Sequence, residues 1–417
     1  MLKNLKQTDI KNKTILYRAP YDIETAMIDN EYEIKDTSRI DATIETLKYL
    51  LSQNCKIAIL TWVGRPLSTY EEKLSTKPHA KYLSNKLQKP IKYINDCHGE
   101  RVIHKLSEMK GGEILMLENV RFHKEENEPT SDTSADFAKK LCQGYDLIVF
   151  DGFPQAHREA PSTTGILQNL PSCAGFYFEK EYNSLNGLLS NPQRPFTLII
   201  GGAKISDKVD AINNLYDLAD IILVGGGASN AFLKAEGKEI AESYIEDENA
   251  VKLAKDILNK NPKTESYKDF KVEAEINLQK VIIPYDLAIG SNKEDNISEL
   301  VVVENQTAPI PHGMMALDIG PVTQLTYKEI ILQSKTVFWA GPLGVYENPM
   351  FAKGTASVVK AFVQSKADTI IAGGDTIDAY RRNAPLSTVK HASLAGGATL
   401  EFVAGKTLPV IKYLNSQ

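Results

Sequence analysis

The sequence predicts an α/β fold of two Rossmann-like, doubly wound parallel-sheet domains joined by an interdomain helix. Three observations predict it. Short apolar, β-branched runs alternate with stretches of helical period, the runs are too many for one sheet, and one polar, proline-bearing break divides them near the middle. The runs are 14–17, 57–60, 114–117, 147–150, 197–200, 221–224, 281–283, 301–303, 337–339 and 369–371. Each reads as a strand buried on both faces. Segment 40–51 places Ile40, Ile44, Leu47, Leu50 and Leu51 on one helical face, and 251–258 and 358–363 share that period. The break is 178–195, FEKEYNSLNGLLSNPQRP, an amphipathic helix followed by a loop. The expected organisation is an N-terminal α/β domain over 1–177, a connector over 178–195 and a C-terminal α/β domain over 196–407. Segment 261–271 is expected to be a polar loop.

Length and composition narrow the function. The 417 residues suffice for two or three domains of about 150 residues. A net charge of −5 argues against an obligate nucleic-acid binder. No apolar run approaches the ~20 residues of a membrane span, and the opening MLKNLKQTDIKNK has no signal-peptide core. Cys55, Cys97, Cys142 and Cys173 have no zinc-site or disulfide-framework spacing. A cytoplasmic enzyme is the expectation. Only nine of the 48 basic residues are arginine, so each arginine asks for a reason.

The second half repeats a pattern of apolar strand, glycine cluster and helix. It appears in TLIIGGAKISDK (197–208), IILVGGGASNAF (221–232), VFWAGPLGVYE (337–347) and TIIAGGDTIDA (369–379), and a fifth cluster follows in LAGGATLEF (394–402). Glycine there lets backbone N–H groups approach phosphate, and helix N-termini favour anions. Neither GxxxxGK[ST] nor GxGxxG is present. Lys204 and Lys208, four apart, would share a face of a helical first turn and point at phosphate, or else form a solvated pair. Asp375 follows Gly373 and Gly374 at an expected helix N-cap. It either caps the helix or holds Mg2+ on nucleotide phosphates.

The first half holds the arginines. Arg18 ends the first strand, Arg39 opens the first long helix, and Arg65, Arg121 and Arg158 each follow a strand. Arginine is favoured over lysine where phosphate or carboxylate needs bidentate contact. Singly each is a surface ion pair of little value. Together they read as a pocket for a small, multiply charged anion such as a phosphorylated carboxylic acid.

DTSRI (36–40), GRP (64–66), GEILMLENVRFHKEE (112–126), AHR (156–158), RPFTLIIGGAKISDK (194–208), VGGGASNAFLKAEG (224–237), LDIGP (317–321), GPLGVYE (341–347), FAKGT (351–355) and GGDT (373–376), in this order, resemble phosphoglycerate kinase nearly end to end. The resemblance implies a two-domain hinge enzyme that transfers a phosphoryl group between 1,3-bisphosphoglycerate and ADP, giving 3-phosphoglycerate and ATP, usually as a monomer. It implies a phospho-acid site of Arg18, Asp22, Arg39, Trp62, Arg65, Arg121 and Arg158, with Arg39 stabilising the moving phosphoryl. It assigns the Mg-nucleotide to Gly202, Ala203, Lys204, Lys208, Gly225, Leu317, Pro342, Glu347, Gly373, Gly374, Asp375 and Thr376. Asp375 is the magnesium ligand and Glu347 the ribose-binding carboxylate. Lys208, Gly373 and Gly396 join Arg39 as catalytic residues. The tail, 408–417, is expected to return to the N-terminal domain.

The chain departs from the family at defined points. RVDFNVP becomes RAPYDIE (18–24), so an aspartate is Pro20, an asparagine is Asp22 and a proline is Glu24. HLGRP becomes WVGRP, with Trp62 for a substrate-facing histidine, and AHRAHAS becomes AHREAPS, with Ala160 for a second one. WNGP becomes WAGP at Ala340, GGGDT becomes AGGDT at Ala372, and STGGGA becomes SLAGGA at Leu394 and Ala395. Losing a hydrogen bond to a charged ligand costs ~1.5–3 kcal/mol. Three readings stay open: the ordinary glycolytic enzyme with local compensation, a kinase for a related phospho-acid, and a catalytically weak nucleotide-binding paralogue with a regulatory role. His79, His98, His104, His312 and His391 read as isolated, His123 as structural, and Asp318 as tying a loop after a strand.

Overall fold

The structure is a computed structural model that describes residues 2–128, 132–273, 276, 278–302 and 309–415. The chain divides into two compact units, Met1–Asn183 with Thr407–Gln417, and Ser184–Lys406. The division falls inside a helix, Phe176–Ser190, not at the ends of the expected 178–195 segment. The first turns of that helix belong to unit 1. Phe178 packs edge-on against Phe150 and Phe153, and its N–H donates to the buried Asp151 carboxylate at 2.9 Å.

In unit 1 the strands are β1 (Thr14–Arg18), β2 (Thr25–Ile28), β3 (Glu31–Ile34), β4 (Lys56–Leu60), β5 (Ile91–Ile94), β6 (Ile114–Leu117), β7 (Leu147–Phe150) and β8 (Ser172–Ala174). Six of them form a parallel sheet in the order β5-β6-β4-β1-β7-β8. β4, β6 and β7 are apolar throughout apart from Lys56, as strands covered on both faces must be. β2 and β3 form a separate hairpin that the sequence reading missed. Asp29 and Asn30 turn it with φ of 48° and 64°, the left-handed pair that suits a two-residue hairpin. The helix expected over 40–51 is two pieces, Ser38–Asp41 and Ile44–Ser52. Arg39 therefore lies in the short first piece, ahead of the long helix. Thr43 marks the break, its hydroxyl bonded back to the Ile40 carbonyl at 2.8 Å. The terminal helix Pro409–Asn415 rests on this unit, where Val410 N–H donates to the Ala156 carbonyl at 3.2 Å. Residues 416 and 417 of the expected tail lie outside the described residues.

In unit 2 the strands are β9 (Phe196–Ile200), β10 (Ile221–Val224), β11 (Val281–Ile282), β12 (Asp286–Gly290), β13 (Glu299–Val302), β14 (Met315–Ile319), β15 (Thr336–Ala340), β16 (Asp368–Ala372) and β17 (His391–Ser393). The parallel sheet runs β11-β10-β9-β15-β16-β17. Strand order reverses between β9 and β15, the point where open α/β sheets bind ligands beyond their carboxyl ends. β13, β12 and β14 form their own antiparallel sheet. This corrects the reading of 301–303 as a buried parallel strand. Glu299, Leu300 and Val302 are exposed and only Val301 is buried, while residue 303 lies outside the described residues. A run of three valines looks the same whether both faces are covered or one. Segment 261–271 is loop apart from a single 3-10 turn, Ser266–Asp269.

Three strand ends of unit 2 meet backbone to backbone. Gly202 N–H donates to the Pro342 carbonyl at 2.7 Å, and Gly226 N–H to the Leu343 carbonyl at 2.9 Å. Gly341 has φ +94°, and a Cβ there would lie 2.3 Å from the Gly201 backbone. Substituting Gly341→Ala is expected to cost about 2–4 kcal/mol of unfolding free energy in denaturant titrations. Gly374→Ala, with nothing within 4 Å of its added Cβ, should unfold like the parent. Equal losses would show that close approach is not what requires glycine at 341.

Candidate active site

In unit 1 the five predicted arginines meet. Arg65, Arg121 and Arg158 line a cavity of about 450 Å³ with Trp62, Pro66, Leu67, Glu126 and Ala160. The guanidinium of Arg121 sits 3.9 Å from the Trp62 ring centroid, and that of Arg18 sits 4.6 Å from it. Cations over an indole face gain ~0.5–2 kcal/mol each, the larger value when desolvated. Trp62 Nε1 donates to the Asp22 carboxylate at 3.1 Å, which also accepts the Gly64 N–H at 2.8 Å. Arg39 donates to the Asp22 carbonyl at 2.8 Å. Trp62 and Asp22, two departures from the family pattern, are thus one hydrogen-bonded pair. Trp62 is 3% exposed: it is a wall of the cavity, held edge and face, not a free plug.

Backbone anchors hold the arginines. Arg18 is fully buried at the end of β1, donating to the carbonyls of Ser162 at 2.8 Å and Ala19 at 2.5 Å. Its remaining amino group is buried without a hydrogen-bond partner. Arg121 donates to the Gly64 carbonyl at 2.5 Å. Asn119 bolts the Gly64 loop to the Arg121 turn. Its amide accepts the N–H groups of Val63 and Arg121 at 3.1 Å each and donates to the Val63 carbonyl at 2.8 Å.

The sequence reading missed Glu126, whose local sequence does not separate it from its half-buried neighbour Glu125. Glu126 is 3% exposed and accepts the Ser162 N–H at 3.0 Å and hydroxyl at 2.6 Å. Burial pushes its carboxyl pKa up to about 7, against the opposing pull of the Ser162 bonds and of Arg18 and Arg121. It is the counter-group that the cavity wall places beside Arg18 and Arg121.

In unit 2 the expected nucleotide residues cluster beyond β9, β15 and β16. Lys208 ends a 3-10 turn, Ser206–Lys208, so it and Lys204 do not share an α-helical face. Its ammonium instead folds back to the Lys204 carbonyl at 3.1 Å, close to Gly202. Burial lowers its pKa, with Asp207 and Asp375 opposing. Asp375 is not the N-cap. Gly373 caps the helix Gly374–Arg381, and Asp375 stands exposed in its first turn. A φ of +97° at Gly373 leaves that position to glycine. Thr376, next along, is buried, and its hydroxyl accepts the Gly341 N–H at 2.7 Å. Glu347 is exposed in the turn after β15. Burial raises the Tyr346 phenol pKa, and Glu347, Asp378 and Asp375 add to the rise, so these carboxylates crowd one spot. Ala203 is exposed beside Lys204, Gly225 follows β10, and Pro342 is buried at the close approach. Leu317 lies in β14, 8% exposed. Gly396 takes φ +55° ahead of the helix Gly397–Val403, whereas Ala372 and Ala395 have no positive φ. Both glycine-to-alanine departures therefore fall where alanine carries no backbone strain. Asp318 lies within β14, not after it, and its buried carboxylate accepts the Gly354 N–H at 2.7 Å, tying the start of the helix Lys353–Gln364.

Two α/β units, one with a caged arginine cluster and one with glycine-lined strand ends carrying lysine and carboxylate, define a phosphotransferase acting on small anions. Comparison with known proteins narrows this. The phosphoglycerate kinase family model matches residues 5–406. The phosphoglycerate kinases of Borrelia hermsii and Moorella thermoacetica are 37% identical over 414 residues and 36% over 415, each alignment covering 99% of both chains. The structure of phosphoglycerate kinase from Coxiella burnetii superposes with a TM-score of 0.83 at 31% identity, covering 100% of this chain and 99% of that one. That from Pyrococcus horikoshii gives 0.81 at 30%, covering 99% and 98%. The chain belongs to the phosphoglycerate kinase family and carries that family's phosphotransferase activity, with ATP and ADP as its nucleotides. Among the described residues, no helix is long and apolar enough to cross a membrane.

Glu126 generates a pH prediction. Its carboxyl has the ordinary glutamate value of about 4.5 when unfolded and is pushed up to about 7 when folded. Between those values the folded state binds more protons, so this group's contribution to stability falls as pH rises and levels off above about 7. In Glu126→Gln that step should vanish. The difference in unfolding free energy between parent and variant should change by on the order of 2–3 kcal/mol from about pH 4.5 to about pH 8. A difference independent of pH would remove Glu126 as the titrating group.

Proposed function

We propose that unit 1 binds the phospho-acid and unit 2 the Mg-nucleotide of the reaction 1,3-bisphosphoglycerate + ADP ⇌ 3-phosphoglycerate + ATP. The observation that carries this reading is the convergence of Arg18, Arg39, Arg65, Arg121 and Arg158 around one cavity and the Trp62–Asp22 pair beside it. Arg65, Arg121 and Arg158 would hold the non-transferred phosphate. Arg39, tethered through Asp22, would stabilise charge on the transferring phosphoryl. Phosphoryl transfer asks mainly for positioning and charge stabilisation, and no nucleophilic side chain is required. Lys208, partly desolvated, would neutralise charge on the nucleotide phosphates.

Mg2+ fits the residues present. An exposed carboxylate, Asp375, stands on a helix first turn within electrostatic reach of Lys208. Magnesium commonly takes one or two carboxylates plus phosphate oxygens and waters. When bound, it would neutralise nucleotide phosphate charge. Four free cysteines and the acidic balance support a cytoplasmic enzyme with small-molecule substrates and neither nucleic-acid nor membrane partners, and the family resemblance implies a monomer.

The test is a coupled ATP/3-phosphoglycerate assay on the parent and on Lys208→Ala. Turnover with the parent and a loss of about 100-fold or more in kcat for the variant, with an unchanged melting transition, is expected. Nucleotide binding without turnover on 3-phosphoglycerate or related phospho-acids would sink the reading.

The Trp62–Asp22 pair favours a second point: acid affinity weaker than is usual in the family. Asp22 brings a negative charge to the rim of an anion pocket. Asp22→Asn should lower the KM for 3-phosphoglycerate by removing that charge, and Trp62→His alone should raise it by leaving the Asp22 carboxylate without its indole donor. The double substitution should lower it below the parent value. Additive effects would show that the two residues do not act together.

A further inference from the structure

Asp96, His98 and His123 lie outside the arginine cavity, and the reaction uses none of them. Read along the sequence, His98 is isolated. In the structure the three ligand-capable atoms all lie within 4.8 Å of one another. Asp96 and His98 stand in the loop between β5 and the helix Glu100–Glu108. His123 immediately precedes the short helix Lys124–Asn127. β5 and β6 are adjacent parallel strands, so both loops emerge from the same carboxyl edge of the sheet.

The geometry is that of a cage more than of a chance surface pair. His123 Nε2 is 3.4 Å from Asp96 Oδ1. The two imidazoles meet edge to face with centroids 4.8 Å apart, and each ring packs 5.2 Å from Phe137. Phe137 is 2% exposed and forms an apolar wall, while the three ligands are half-buried and open to solvent on the other side. Asp96 is anchored by its own loop: its carboxylate accepts the Cys97 N–H at 2.7 Å and its carbonyl the Glu118 N–H at 3.2 Å.

We propose that Asp96, His98 and His123 bind a divalent transition metal of the zinc class, with water in the open coordination position. Two imidazoles and one carboxylate suit Zn2+, Co2+ or Ni2+ and not Mg2+ or Ca2+, which prefer oxygen alone. A tetrahedral ion bound at 2.0–2.1 Å sets neighbouring ligand atoms about 3.3 Å apart. The Asp96–His123 spacing of 3.4 Å already meets that. The site is separate from Asp375: the two differ in donors, in unit and in the metal they take.

The experiment uses the full chain stripped with chelator. Co2+ is titrated by its visible absorption and Zn2+ by calorimetry. The parent should bind one Zn2+ that excess Mg2+ does not displace, and Co2+ should develop the intense band of a four-coordinate site. His98→Asn and His123→Ala should each weaken Zn2+ binding about tenfold or more. Melting without metal checks that each variant folds. If His123→Ala does not, His98→Asn alone decides, since its parent residue is half-exposed in a loop. Zn2+ should raise the melting temperature of the parent more than that of a folded variant. Equal Zn2+ affinity in parent and variant, or a parent that does not saturate, would overturn the proposal and leave the trio as a hydrogen-bonded packing contact.

Discussion

The guanidinium groups of Arg18, Arg65, Arg121 and Arg158, drawn together at one small cavity of unit 1, repel one another before any ligand arrives, and the structure around them is organised by that repulsion. Three devices offset it. Glu126 places a counter-charge beside Arg18 and Arg121, Trp62 offers them its ring, and backbone carbonyls of Ser162, Ala19 and Gly64 take their N–H groups. The cost of burial is visible in the groups themselves. Arg18 has its pKa drawn down to about 10 and Glu126 has its own pushed up to about 7, both mainly by desolvation. A cluster so poised gains most from a multiply charged anion, which supplies the missing negative charge.

Unit 2 meets a different constraint. Glycines at the ends of β9, β10 and β15 allow three loops to touch through backbone hydrogen bonds. Glycine is retained at 341, 373 and 396, where φ is positive, and is replaced at 372 and 395, where it is not. The altered glycine motifs therefore leave the backbone of these loops without strain. The altered acid motifs are not neutral in the same way, because Trp62 and Asp22 together rewrite one wall of the cavity.

Much of the fold was legible along the chain. β6, β7 and β10 begin and end where their apolar runs do, because a strand covered on both faces excludes polar residues along its whole length. Elements governed by tertiary context were less so. β12 and β14 were not separated from loop, β13 was assigned to the wrong sheet, and the helix over 40–51 concealed a break at Thr43. A half-covered strand and a fully covered one use the same valines, and a helix break made by a threonine hydroxyl bonding a carbonyl has no distinctive residue.

The amino-acid sequence by itself determined the two-sheet α/β class, the arginine and glycine constellations and their order, and hence the family. Those signals are local: periodicity, spacing and residue type. Tertiary structure alone decided what stands beside them. It put Glu126 beside the arginines, joined Trp62 to Asp22 across 40 residues, and brought His98 to His123 and Asp96. These pairings depend on which strand ends lie side by side in a sheet, and charge and hydrogen-bond partners chosen through space leave no periodic mark on the chain.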